Sequence, residues 1–199
     1  MTTPEFIQDF LSQFVVALGS MGGENKPDLL EMIKELAAIR PCGGRLFILG
    51  VGGSAGNASH AVNDFRKLCN IETYAPTDNV SELTARTNDE GWEETFRPWL
   101  RTSRLGKADA ILILSVGGGD VDASVSVNLI RAIDYAKDVK AKVLGIVGRR
   151  GYTFQQADVC ILIPALRTEF VTPYAEVMQS VLLHLLVSHP ALKRNETKW

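Results

Sequence analysis

Four short runs of unbroken apolar residues limit this chain more than any other feature: RLFILGV (45–51), DAILILSV (109–116), AKVLGIV (141–147) and DVCILIP (158–164). A strand with one wet face alternates apolar and polar residues, whereas a continuous run needs cover on both faces. Helical stretches lie between the runs, at 54–69, at 79–103 with interruptions, at 122–138 and at 150–157; a last one spans 172–188. Strand alternating with helix predicts an α/β fold, a doubly wound parallel sheet with right-handed crossovers and helices on both faces. Ahead of it, Phe6, Phe10, Leu11, Phe14 and Leu18 recur at helical steps, and Pro27 starts a second helix that stops near Pro41.

A chain of 199 residues suits one domain: N-terminal helices over 1–41, an α/β core over 42–190 and a loose tail over 191–199. The formal net charge of −2, with no basic block, argues against a nucleic-acid partner. No apolar run approaches the ~18 residues of a membrane span. The start, MTTPEFIQDFLSQF, lacks the layout of a signal peptide. The expected location is therefore cytoplasmic, away from membranes. Three cysteines without CxxC spacing imply neither a disulfide framework nor a cysteine zinc site.

In a doubly wound sheet, ligands bind outside the carboxyl ends of the strands. Two loops there combine glycine with serine: GVGGSAGN after the first strand, and SVGGGDVDASVS after DAILIL. Glycine lets backbone approach an anion, and the following helix supplies free N–H groups, so the pair suits a phosphate. A dinucleotide site is the rival: Gly50, Gly52 and Ala55 satisfy G-x-G-x-x-G/A, and Glu72 lies where a ribose-binding acid would sit. The segment carrying Glu72, NIETYAPTD, reads as a poor buried strand.

His60 and Asp64 share one face of the helix after the first loop. Glu176 and His184 are two helical turns apart on the last helix, with His184 in VLLHLLV, a setting that predicts burial. Each pair also suits a plainer role, a solvated helix face for the first and a hydrogen-bonded core histidine for the second. Together they offer the N and O donors of a divalent metal site, or an acid–base pair.

The run GVGGSAGNASH, the segment TNDEGWEETF, the serine–glycine loop and the closing helix resemble the sugar isomerase (SIS) domain family, and within it the phosphoheptose isomerase group. The resemblance covers nearly the whole chain. It implies an SIS-type fold, a homotetramer, and an enzyme that converts sedoheptulose 7-phosphate to D-glycero-D-manno-heptose 7-phosphate through an enediol, in heptose supply for surface polysaccharide such as lipopolysaccharide. By position it implies catalytic roles for Asp64 and His184, and zinc or another divalent metal held by His60, Asp64, Glu176 and His184. Asp64 falls where the group usually has glutamate, and Glu176 where it usually has glutamine. Gly52, Gly53 and Ser54 match the phosphate loop and Asp89 a substrate-contacting aspartate. The second loop departs from the usual S-x-S-G-N-S: Ser115 aligns, Ser124 and Ser126 both suit the serine that opens the next helix, and Asp120 and Asp122 bring negative charge unless they point away. The alternative that this loop favours is a non-catalytic module that binds a phosphosugar or a protein.

Overall fold

All four apolar runs form parallel strands in the computed structural model of the chain, which describes residues 2–23 and 25–198. They are β1 (Leu46–Gly50), β3 (Ala110–Ser115), β4 (Lys142–Val147) and β5 (Val159–Leu162). A fifth strand, β2 (Thr73–Tyr74), lies on the outer edge of β1, so the order is β2-β1-β3-β4-β5. The NIETYAPTD segment is thus a strand after all, but a two-residue edge with Thr73 buried and Tyr74 exposed.

Both faces of the sheet are covered, which is why the strands read as continuous apolar runs. On one face Leu46, Ile48, Leu112, Leu144 and Ile146 share a core with helices α2 (Lys26–Ile39), α3 (Gly53–Cys69) and α8 (Val171–Ser188), through Met32, Leu36, Phe65, Met178 and Leu182. On the other, Phe47, Leu49, Ile111, Ile113 and Val143 meet Phe96 and Leu100, beside and within α5 (Arg97–Thr102), and Leu129 and Ile133 of α6 (Val127–Asp138). Between β2 and α5 lies α4 (Val80–Asp89), ended by Gly91 in the left-handed region at φ 90°. A short α7 (Tyr152–Gln156) joins β4 to β5.

Helix α1 (Thr3–Met21) starts at a capping box made by Thr2 and Glu5. It is fastened to α8 by rings: Phe10 and Phe14 meet Tyr174 edge-on at 5.2 and 5.3 Å, and the Tyr174 hydroxyl donates to the Phe10 carbonyl at 2.6 Å. An ion pair between Arg167 and Asp9 adds to this. Leu11 and Leu18, expected on the buried stripe, instead join Ile7 and Val15 on the exposed side of α1.

Three further expectations are corrected. The helix predicted over 122–138 begins only at Val127, because Asp120 and Val125 exchange backbone hydrogen bonds of 3.0 Å and close a tight turn ahead of it. The tail is not loose over its described length: the N–H groups of Arg194 and Asn195 donate to the Leu68 carbonyl at 2.8 and 3.0 Å, satisfying the end of α3. Finally, one segment, Thr168–Ser188, is long and apolar enough by length and composition to cross a membrane. Its most apolar window is 56% buried inside the fold, as the core helix α8.

Candidate functional site

β1 hands the chain to α3 on one face of the sheet, and β3 hands it to α6 on the other. The carboxyl ends of these adjacent strands therefore flank a crevice at a topological switch point, the usual ligand position in such sheets. Both glycine–serine loops lie there. Glu72 does not: it precedes β2, at the amino end, and accepts a hydrogen bond from the Tyr74 hydroxyl at 2.9 Å. The ribose-binding acid of the dinucleotide reading is thereby on the wrong side of the sheet.

In the first loop, Gly52 has φ 63° and ψ −130°, a conformation that a side chain resists, and it turns the chain abruptly into α3. Ser54, in the first turn of α3, is buried. In the second loop, the Ser115 hydroxyl accepts from the Gly118 N–H at 2.9 Å, which leaves its own proton free to donate. The Gly118 and Gly119 carbonyls accept from the N–H groups of Thr153 and Tyr152 at 2.8 Å each, docking the loop on α7. Asp120 folds back onto its own turn, accepting from the Ala123 N–H at 2.9 Å, and Asp122 is exposed. Ser126 is the residue that opens α6; with Ser124, Trp92, Glu93, Val127 and Arg131 it lines a cleft of about 330 Å³. Asp89 is exposed at the last residue of α4 and accepts from the Asn88 side chain at 2.7 Å.

The two histidine helices do meet. Asp64 Oδ2 lies 3.3 Å from His60 Nε2 and 3.5 Å from His184 Nδ1, and the two imidazole rings stand 5.1 Å apart. One donor atom from each of the three residues lies within 4.8 Å of the others, close enough to share a single metal ion. His184 is not buried as VLLHLLV predicted; its side chain and that of His60 are each 54% exposed, while Asp64 is 14% exposed. The reason is that α8 is apolar on both sides: Leu182, Leu183 and Leu186 face the core, whereas Val177, Val181 and Leu185 share the open side with His184.

Glu176 is absent from this cluster. Its carboxylate lies over Gly53, where an added Cβ would meet carboxylate atoms at 2.5 to 2.6 Å. One turn along, the Asn57 amide donates to the Glu176 carbonyl at 2.8 Å and to the Gln179 side chain at 3.1 Å. Helices α3 and α8 thus run side by side in the same direction, with Glu176 at the glycine-loop end and the histidines further along. Sequence reading missed Asn57 and the fully buried Gln179, whose signal was a lone polar residue on an apolar helix face. It also missed Asn63, whose amide holds Asp64 Oδ1 at 3.0 Å and turns Oδ2 toward both histidines.

The cysteines take no part: all are free, and burial pushes the thiol of Cys69 up to about 11 and that of Cys160 up to about 12. Only Cys42 is exposed. A disulfide reagent at pH 8 is expected to label one thiol per chain rapidly and three after denaturation; rapid labelling of two in the native protein would contradict this burial.

No family model matches the chain. It is 29% identical over 187 residues to a phosphoheptose isomerase of Syntrophotalea carbinolica, covering 90% of this chain and 89% of that one. It is 35% identical over 158 residues to the lincomycin biosynthesis protein LmbN of Streptomyces lincolnensis, covering 74% of this chain but only 54% of that protein. A solved phosphoheptose isomerase structure from Francisella tularensis superposes with a TM-score of 0.82 at 19% identity, covering 94% of this chain and 97% of that one. The chain accordingly has the SIS-type α/β fold, and in sequence it is similar over nearly its whole length to the phosphoheptose isomerases.

Proposed function

We propose that the chain is an aldose–ketose isomerase of sugar phosphates, with sedoheptulose 7-phosphate as ketose and D-glycero-D-manno-heptose 7-phosphate as aldose. The observation that carries this reading is the convergence of His60, Asp64 and His184 along one seam that begins at a glycine–serine loop. Seven residues separate Gly53 from His60, a rise of about 10 Å. An extended seven-carbon phosphate, with C–C bonds of ~1.5 Å, spans the same order of distance from carbonyl carbon to phosphorus. A phosphate held at the loops would therefore leave the carbonyl end at the cluster.

In this reading Ser54, Ser115 and Ser126 or Ser124 bind the phosphate together with backbone N–H groups of Gly52 and Gly53, and Asp89 contacts a hydroxyl. Their work is orientation, which holds the reacting carbons against the acid–base groups. Asp64 removes a proton from C1, beside the C2 carbonyl of the ketose, and returns one to C2 as the enediol collapses to the aldose. His184 serves the oxygens, donating to the carbonyl oxygen as the enediol forms and taking the hydroxyl proton as it collapses. Asn63, by holding Oδ1, keeps the working oxygen of Asp64 on the histidine side.

The donor set also suits zinc. Tetrahedral ligands at ~2.0–2.2 Å from zinc stand about 3.3–3.5 Å apart, and the two Asp64 to histidine separations are 3.3 and 3.5 Å. His60, Asp64 and His184 would hold it, leaving the second ring nitrogen of His184 for proton transfer, and a bound zinc would supply polarisation of the substrate's carbonyl and hydroxyl oxygens, which offsets the weaker basicity of a metal-bound Asp64. A homotetramer in the cytoplasm is part of the same proposal, supported by the uncovered apolar side of α1 formed by Ile7, Leu11, Val15 and Leu18. So is a role in surface-polysaccharide heptose supply, which rests on the resemblance.

Incubation of the purified protein with sedoheptulose 7-phosphate, followed by NMR, tests the reading. Aldoheptose phosphate should form, with turnover lost on chelation and restored by zinc. Formation of no aldose with zinc present would overturn the assignment.

A further inference from the structure

The proposed phosphate site is built from hydroxyls and backbone N–H groups, and the exposed Asp120 and Asp122 belong to the same loop, so a phosphate dianion there still lacks a counter-charge. Three arginines lie near that loop. Arg150 stacks on the Phe154 ring at 4.6 Å and shares a cavity of about 240 Å³ with Asp120 and Asp122, so acids already face its charge. Arg149 lines neither that cavity nor the cleft of Ser124 and Ser126. Arg131 lines the cleft with both serines. It is the fifth residue of α6, and helical side chains lean toward the helix N-terminus, so its guanidinium reaches back toward Ser126.

The Arg131 fork is aimed, and its binding edge is open. Arg97 takes both oxygens of Glu94, with Nη2 at 2.6 Å from Oε1 and Nε at 3.1 Å from Oε2. Arg131 reaches the same Oε1 through Nη1 alone. Its Nε and Nη2 have no hydrogen-bond partner among the described residues, and these are the two donors with which Arg97 grips Glu94. One carboxylate shared by two guanidiniums also leaves the trio with a net positive charge. The Arg131 side chain is only 34% exposed and is ordered by Glu94 before any ligand arrives, which lowers the entropy cost of binding. Glu93, the acid that lines the cleft, has its carboxylate over Gly91.

We infer that Arg131 binds the substrate phosphate through its Nε–Nη2 edge, alongside Ser126, with Glu94 as the residue that positions it. This deepens the isomerase reading and rests on it for the identity of the sugar. A guanidinium fork matches two phosphate oxygens with two parallel N–H donors. It also supplies the charge that the serines lack and offsets the repulsion from Asp120 and Asp122.

Calorimetry with inorganic phosphate reads this site without turnover, and steady-state kinetics with sedoheptulose 7-phosphate reads it in the reaction. Arg131→Met keeps an unbranched stem and removes the fork. Glu94 retains Arg97 in that variant, so the fold should survive. Phosphate affinity should fall about tenfold or more, and KM should rise more than kcat falls. Arg131→Lys keeps the charge without the fork and should recover only part of the loss. Arg101→Met is the control for a diffuse positive field: Arg101 is exposed and lines a neighbouring cavity with Arg131. It should change phosphate affinity by less than about twofold.

Unchanged phosphate affinity in Arg131→Met would overturn the inference, as would equal losses in Arg131→Met and Arg101→Met. Full recovery in Arg131→Lys would overturn the role of the fork. Wild-type protein that binds no inorganic phosphate would contradict the inference as a whole. Phosphate bound through Arg131, with no aldoheptose phosphate formed, would support the inference and overturn the isomerase reading alone.

Discussion

Asp64→Asn is expected to lower turnover by about 10²- to 10⁴-fold, the range that a positioned acid–base group contributes. The amide keeps the size of the carboxylate and the neighbour Asn63 but removes the negative charge that lies 3.3 and 3.5 Å from the two histidines. His184→Ala should cost a similar factor, because it removes the other half of the proposed proton-transferring pair. Neither change should unfold the protein. His184 is 54% exposed, and Asp64 faces it across a surface seam away from the buried layers on either side of the sheet. Steady-state kinetics with circular dichroism as a check on the fold would decide it. Near-normal turnover in both variants would remove Asp64 and His184 from the mechanism.

Gly50→Ala should destabilise the loop that opens the site. The added Cβ would stand 2.5 Å from the carbonyl oxygen of Ser54, 2.6 Å from its carbon and 2.9 Å from the nitrogen of Ala55. These are backbone atoms of the first turn of α3, so no rotamer change relieves the collision. β1 cannot retreat either, since Gly50 is in register with Leu114 on β3. Overpacking of this kind costs about 1–3 kcal/mol and sometimes more, and for a domain of this size each kcal/mol lowers the melting temperature by roughly 2–4 °C. Gly56→Ala is the internal comparison: a Cβ at Gly56, the fourth residue of α3, meets nothing within 4 Å, and within a helix alanine is favoured over glycine by up to about 0.5–1 kcal/mol. Thermal melting of the two variants should move in opposite directions. A Gly50→Ala protein as stable as the wild type would mean that the loop does not pack as described.

What the sequence made legible follows from burial. β1, β3 and β4 are covered on both faces, so almost every residue in them had to be apolar, and their edges stand out against glycine and polar neighbours. β2 escaped because an edge strand of two residues, one in and one out, leaves no periodic signal. The His60–Asp64 pair was legible from helical spacing alone. That it meets His184 was not, because α8 is apolar on its open side as well as its core side, and composition could not tell which side held the histidine. The same ambiguity predicted burial for a residue that is half exposed. Glu176 was placed with the histidines by resemblance; its position over Gly53 depends on the register between two helices 119 residues apart in sequence at Asn57 and Glu176. The turn closed by Asp120 and Val125 read as helix because its polar and small residues suit a helix start as well as a turn, and only the pairing of its two ends distinguishes them.

The claim that most needs a direct test is proton transfer through an enediol at the cluster of His60, Asp64 and His184. Isomerisation of sedoheptulose 7-phosphate should be run in deuterium oxide and the aldose product read by proton NMR. Transfer by a side chain that exchanges its proton with solvent predicts deuterium at C2 of the product, with loss of the C2 proton signal. Because the cluster lies on an open seam, a product that still carries only protium at C2 after the reaction has reached equilibrium would contradict the acid–base roles given to Asp64 and His184.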